Sequence, residues 1–564
     1  MKGRFHTTIE PLESRIAPAV FIVTNTTDAA PGSLRAELAA ASMHGGFNEI
    51  VFHITPPPAA HIESIITLTS GALTTIGNVG IIGPGAGKLI IDGGGAGRVF
   101  NITGTDGVTI ISGVSIVNGK ATGYGGGIHC TESLGLNGVV ISGNTATGGA
   151  GGIAVPGNAT TEVSIVNSLI TGNTATYYAG GMDINDVKSI HVTKTVVTGN
   201  TTSVYSGGGI YAEVDSTGAG ITISDCRISG NSAYDGGGLV VKDQNPAAAS
   251  RITISGTMIS GNTATGSVTS SGGGLSIAAG NAVIVHSALV ANTAAGNGGG
   301  IAASGFASLT IASTAVIGNV ANASGTDMGG GGVFIAGTGS GLPPAAIVHS
   351  AILDNHTANN GGGLYALDGV ALTISGSAVS GNTAAGSGGG AATSGSGANK
   401  VNLSVAGAIF SGNAAAGSGG ALNATGDGTV SVIGSMVSGN LASGAGGGMS
   451  LSSTVSVTVE NALVTNNFSS VGGGGMQLNG TSNFHIAGGV FAGNSAPNGG
   501  GIYANASNGS IMNVTISGNA ATGEGGGVLD NTGSITLQIA RITGNSAPSG
   551  PDVAATGGGV FTYV

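Results

Sequence analysis

Between residues 177 and 251 the chain gathers Asp183, Asp186, Lys188, Lys194, Glu213, Asp215, Asp225, Arg227, Asp235, Lys242, Asp243 and Arg251. Six of its nine tyrosines fall nearby: Tyr124, Tyr177, Tyr178, Tyr205, Tyr211 and Tyr234. Carboxylates beside aromatic faces are the chemistry of a polysaccharide groove. Two carboxylates flanking a glycosidic bond can act as acid and base. A calcium-assisted lyase would instead need several converging oxygens and a base, so calcium enters only with that alternative. The candidate glycan patch is Tyr177, Tyr178, Asp183, Asp186, Tyr211, Glu213, Asp215, Lys242 and Asp243. The bland reading is a solvated stack in which Glu213 and Lys242 make an ordinary cross-strand pair. It is preferred, because no motif assigns catalysis. No catalytic residue is named, no cofactor is expected, and the expectation leans away from an enzyme.

Other candidates are weaker. From Ile252 to Ala540 one basic residue, Lys400, and seven scattered acids remain, so no acid–base pair is expected there. His286 and His349 each stand six residues before a turn asparagine. Two coils apart, or about 9–10 Å, they are too distant to share a metal. GxGxxG-like strings lack the strand–turn–helix context of a nucleotide site. The GGxGxD nonapeptide of calcium-binding β-rolls is absent. Cys130 and Cys226 fit neither a metal pattern nor a disulfide between distant coils. Ice binding ranks low, because Ser, His191 and His485 interrupt the outward threonines.

Composition narrows the classes further. Only 14 residues are basic and the net charge is −11, which opposes a phosphate-binding surface and makes nucleic acid an unexpected partner. Charged residues are 7% of the chain and glycine supplies 112 of 564 positions. Disorder is nonetheless disfavoured, because 41% of residues are apolar and recur in alternating runs. No apolar run is long enough for a membrane-spanning helix.

The elements that would position these residues follow from a repeat. Each unit has an alternating apolar run, a Ser-Gly-Asn-Thr-Ala turn, a bridge ending in GGG and a second apolar run, as in 221-ITISDCRISGNSAYDGGGLVV-241. The turn asparagine recurs at Asn118, Asn144, Asn173, Asn200, Asn231, Asn262, Asn292, Asn319, Asn355, Asn382, Asn413, Asn440, Asn466, Asn494, Asn519 and Asn545, with a mean period of about 28 residues. Period-two β-branched residues bounded by glycine favour strands over helix. The fold class is therefore all-β: a single parallel β-helix of about 16 coils, each with three short strands, and a small α+β N-terminal cap. The asparagine amides are expected to bond along the stack as a ladder. Thr222, Thr253, Thr310, Thr373, Ser404, Thr515 and Thr536 are expected to face water while Ile, Val and Leu face inward. Counting from the last glycine of each bridge, the outward second position reads His129, Asp183, Tyr211 and Val240 in four of the first five coils. The outward fourth reads Asn185, Glu213 and Lys242 in successive coils.

The domain division is 1–20, an export-like segment without the apolar core of a conventional signal peptide; 21–100, cap and first coils; 101–549, repeats; and 550–564, the end. In the cap, 21-FIVTNTTD-28 and 49-EIVFHI-54 read as strands and 33-SLRAELAAAS-42 as a helix N-capped by Ser33. The stretch 23-VTNTTDAAPGSLRAELAAAS-42 resembles the N-terminal module of bacterial extracellular β-helix proteins with a CSLREA signature, without its opening cysteine. The following 81-IIGPGAGKLIIDGGGAGRVFNI-102 and the SGNTA–GGGI units resemble the right-handed parallel β-helix proteins of the polymorphic outer-membrane-like and pectate-lyase-like kind, which implies a right-handed helix here. The segment 9-IEPLESRIAPAV-20 resembles a short motif of large secreted bacterial proteins. These resemblances imply an extracellular or cell-surface location. The leading expectation is a rigid structural or adhesin-like module whose partners are polysaccharide or cell-surface components. A polysaccharide-binding or polysaccharide-degrading protein is the alternative.

Overall fold

A computed structural model describes residues 18–54, 64–104, 106–215, 219–244, 251–266, 272–323, 325, 327–337, 341–395, 397–452, 456–481 and 483–564. Most of the export-like segment lies outside these residues. The chain winds into a parallel β-helix of about 19 coils, somewhat longer than the 16 counted from turn asparagines. The first coils escaped that count because their corners lack the asparagine: Leu68 and Gly93 follow the strands Ser64–Thr67 and Leu89–Asp92.

Among the described residues, four sheets run along the rod, not three. In a typical coil, Gly220–Ser224 belongs to sheet A, Arg227–Ser229 to sheet B and Leu239–Asp243 to sheet C. The extra sheet D is built from two-residue strands such as Ser232–Ala233, directly after the turn asparagine. Every strand pairs in parallel with its counterparts one coil away, for example Ile221 with Ile190 and Ile252. Alternation fills the interior as expected, with Ile221 and Ile223 fully buried and Thr222 half-exposed. One continuous apolar cluster runs from Val23 to Leu537. Thr515 departs from the expected outward column. It begins a sheet B strand, and Ser510 takes the sheet A position between His485 and Thr536.

The corner between sheets B and D holds the asparagine ladder. From Asn144 to Asn519 each backbone N–H and side-chain Nδ2 donates to the Oδ1 of the asparagine in the following coil at 2.9–3.0 Å. Asn545 ends the series by donating to Asp552 Oδ1 at 3.0 Å. Two expected members are displaced. Asn118 and Asn466 occupy the left-handed position (φ 53° and 56°) that glycine fills in most coils. The ladder partners there are the Gly119 N–H and Asn467. A second, unforeseen ladder lines the corner between sheets A and B. There Ser168, Thr195, Thr257, Ser287, Thr314, Ser350 and Ser377 accept from the backbone N–H one coil away or bond a carbonyl two residues back. Cys226 stands in this series. Its thiol donates to Ser224 O, and burial pushes its pKa up to about 11.

The N-terminal end is closed by the helix Leu34–Ser42, which buries Leu34, Leu38 and Ala41 and is capped by Ser33 accepting from Ala36 N–H. It packs on the parallel strands Ala19–Val23 and Asn48–Phe52 and on Leu73–Thr75. Asp28 fastens this cap to the first coil. It bonds Arg35 at 2.8 Å and accepts from the Thr69 and Ser70 N–H groups. Although burial opposes its charge, these donors hold its carboxyl down at about 2. Among the described residues, no helix is long and apolar enough to cross a membrane.

Candidate functional site

Sheet C carries the candidate patch on its outward side. Its second position forms one column, His129, Ala154, Asp183, Tyr211 and Val240, as the residue count predicted. The turn leading into sheet C folds toward this column. Gly149 makes that approach possible, because a Cβ there would stand 2.6 Å from Asp183 Oδ2 and 2.8 Å from the Tyr124 ring. Asp183 is consequently only 2% exposed.

The same turn presents a strip of tyrosines to solvent: Tyr124, Tyr177, Tyr178, Tyr205 and Tyr234. Its backbone is locked coil to coil, with Tyr205 N–H donating to Tyr177 O and Tyr234 N–H to Tyr205 O. Neighbouring rings are therefore brought against each other. Tyr178 lies 4.8 Å from Tyr205 at 16°, and Tyr177 lies 5.9 Å from Tyr205. Tyr211 meets Tyr178 edge-on at 6.3 Å, which ties the strip to the acidic column.

Beneath the rings runs a connected polar network. Tyr211 OH donates to Glu213 Oε2 at 2.7 Å, and Lys242 Nζ lies 2.9 Å from Glu213 Oε1. Gln244 donates both to Glu213 Oε1 and to Asp186 Oδ1. Asn185 does not line up with Glu213 as expected. A bulge between Ile184 and Val187 breaks that register, and Asn185 Nδ2 turns back to Asp183 Oδ1 at 2.6 Å. Burial pushes the Asp183 carboxyl up to about 7, against the Asn185 amide and assisted by the Glu213 charge. Burial also disfavours the Glu213 charge, but the donors Lys242, Tyr211 and Gln244 outweigh it and hold its carboxyl below the usual range. Burial and the Glu213 carboxylate raise Tyr211. The patch thus contains one carboxyl near its midpoint at neutral pH, Asp183, and one firmly ionised, Glu213.

Of the nine patch residues, seven come together: Tyr177, Tyr178, Asp183, Asp186, Tyr211, Glu213 and Lys242. Asp243 does not serve the surface. It pairs in register with buried Val214, is itself fully buried, and lies beneath the Gly280 backbone. Asp215 follows the strand Ile210–Val214 and is half-buried. Sequence reasoning missed Gly149 and Gln244, whose roles depend on which coil lies above which.

It also missed a second cluster in the region where no acid–base pair was expected. Tyr365 occupies the Tyr211 column farther along the rod, and its OH lies 3.4 Å from Asp327 Oδ1. Burial and Asp327 push Tyr365 up to about 12, and burial and Asp327 also raise Asp368. A cavity of about 240 Å³ opens beside them, lined by Asp327, Asp368, Ser394, Asn399 and Thr425. Counting two residues past Gly363 finds Tyr365 just as it found Tyr211, but Asp327 comes from a turn that no count reaches. A larger dent of about 470 Å³ lies on sheet A around Gly135, walled by Val108, Ile110 and Leu136. It is apolar and brings no set of reactive groups together.

No protein-family model matches this chain, and no curated protein is significantly similar to it.

Proposed function

We propose that this chain is a rigid, non-catalytic, adhesin-like rod of the bacterial cell exterior that holds polysaccharide along its tyrosine strip. The observation that carries the reading is the strip itself: five exposed tyrosines on one turn of neighbouring coils, with Tyr178 and Tyr205 stacked 4.8 Å apart. Such rings offer apolar faces to sugar rings while their hydroxyls stay wet. The network of Tyr211, Glu213, Lys242 and Gln244 supplies polar groups along one margin. Binding is favoured over cleavage on physical grounds. A glycosidase needs two carboxyl groups that reach opposite sides of the scissile bond. Here Asp183 is covered and Glu213 is engaged by three donors. The finer kinship, with extracellular β-helix proteins carrying a CSLREA-type module, belongs to the same proposal. It is supported by the 23–42 match and by the Ser33-capped helix closing the rod.

The test is a panel of acidic and neutral polysaccharides, scored for retention and for released chain ends, with and without Ca²⁺. Retention of at least one polymer is expected, falling at least roughly tenfold in Tyr178→Ala and Tyr205→Ala variants with unchanged β-sheet spectra. Release of products would overturn the non-catalytic reading. Absence of any retention would overturn the glycan reading.

A further inference from the structure

Sheet B is uncharged at its outward positions over ten consecutive coils, and its surface relief is ordered. The first outward position reads Ala288, Ala315, Ala351 and Ala378 in one half, then Ile409, Met436, Leu463 and Val490 in the other. Met258 and Thr515 flank this run. The third position of the same strands has the opposite relief away from the centre of the run, where Ser380 and Ser411 are both small. Val290, Ile317 and Leu353 are bulky where the first column is alanine, and Ser438, Thr465 and Ala492 are small where it is bulky. Ile409 and Leu463 are each 41% exposed.

We propose that two copies of this chain pair antiparallel through sheet B, about a two-fold axis between the Ala378 and Ile409 coils. A two-fold contact presents one patch to itself with its coil order reversed. Reversal about this axis sets Ala378 against the partner copy's Ile409 coil, Ala351 against that of Met436, Ala315 against Leu463, and Ala288 against Val490. The third column then meets in the same sense, Leu353 over Ser438, Ile317 over Thr465 and Val290 over Ala492. Knobs fall into hollows in both columns at once in three of the four coil pairs, and at the axis the small Ser380 and Ser411 meet. The corners agree. Exposed His286 and His349 fall over Gly488 and Gly434. The two acids beside the sheet in these coils, Asp354 and Glu460, fall over Gly439 and Ala312 rather than over each other. Ten coils at about 4.8 Å and strands about 10 Å wide give a face of roughly 500 Å² per copy. The pair therefore buries on the order of 1,000 Å², the lower bound for a specific contact. A lipid surface would not require the halves to be complementary; a second copy does.

The test is sedimentation of the full chain over micromolar concentrations, with circular dichroism confirming the β-sheet fold of each variant. The wild type is expected to show a reversible dimer. Leu463→Asp and, independently, Ala315→Lys should each weaken it by roughly a hundredfold, because the symmetric contact buries the unpaired charge twice. Combined in one chain, the two substitutions face each other across the interface and should restore dimerisation to within about tenfold of wild type. A wild type monomeric throughout, single variants that dimerise unchanged, or a double variant that fails to recover would each overturn the proposal. So would a monomer that binds lipid vesicles through this face.

Discussion

In the coils around residues 200 to 262, the asparagine corner and the tyrosine turn lie only a few residues apart, and their backbones climb the rod in the same register. Their side chains obey different rules. The corner repeats one residue coil after coil, Asn200, Asn231 and Asn262, each buried and bonded to the next. The turn carries tyrosine in only three successive coils, Tyr177, Tyr205 and Tyr234, between Gly148 and Gly266. A buried amide must be matched above and below, so one substitution strands groups in two other coils. An exposed ring is required by nothing in the fold. Uniformity therefore marks what holds the rod together, and variation marks where it can meet something else.

The comparison is broken most directly at Asn319. Its side chain accepts from the Asn292 N–H and Nδ2 and donates to Asn355 Oδ1 and Leu289 O, all at 3.0 Å. Asn319→Ala should cost ~4 kcal/mol by stranding several buried groups. Denaturant unfolding, with hydrogen exchange localising the loss to the coils on either side, measures it. A loss under ~1 kcal/mol would contradict the ladder's role.

Asp183 comes next and carries a pH signature. Its folded carboxyl sits near 7, above the ordinary 3.8, so its contribution to stability is complete below about pH 4 and is lost as pH rises through 7. Asp183→Asn, which imitates the protonated form, should match wild type at pH 4 and exceed it by roughly 2–4 kcal/mol at pH 8. Equal stabilities at both pH values would remove the carboxyl from its buried position. Tyr205→Ala should cost only ~1 kcal/mol, the worth of a stacked pair, while abolishing glycan retention. Comparable losses in both readouts would make the strip structural. The smallest effect is expected for Cys226→Ser. Hydroxyls fill its position in neighbouring coils, so thermal unfolding should shift by less than about 1 kcal/mol.

Much of the fold was legible because the solenoid repeats its local chemistry. The Ile221–Ile223 alternation, the ladder from Asn144 and the Ser33-capped helix each follow from residue type and spacing. The displaced Asn118 and Asn466 were not legible in the same way. Asparagine tolerates both the left-handed corner and the ladder position, and only the paired strands decide which it takes. Column counting likewise placed Asp183 above His129 and below Tyr211. It failed at Asn185, where a bulge inserts residues that no periodicity announces.

The sequence by itself determined the class of this protein. A chain with glycine at each corner, β-branched residues at period two and a recurring asparagine can bury its apolar face only by stacking copies of itself. The tertiary structure decided what each outward residue meets. It brought Gln244 to Glu213 and Asp186, placed Asp327 beside Tyr365, and lined the alanine half of sheet B up with its bulky half on one face. The reason is geometric. Inward residues are selected by a dry interior that every coil shares, whereas outward neighbours come from different coils, whose loop lengths and bulges set the register independently.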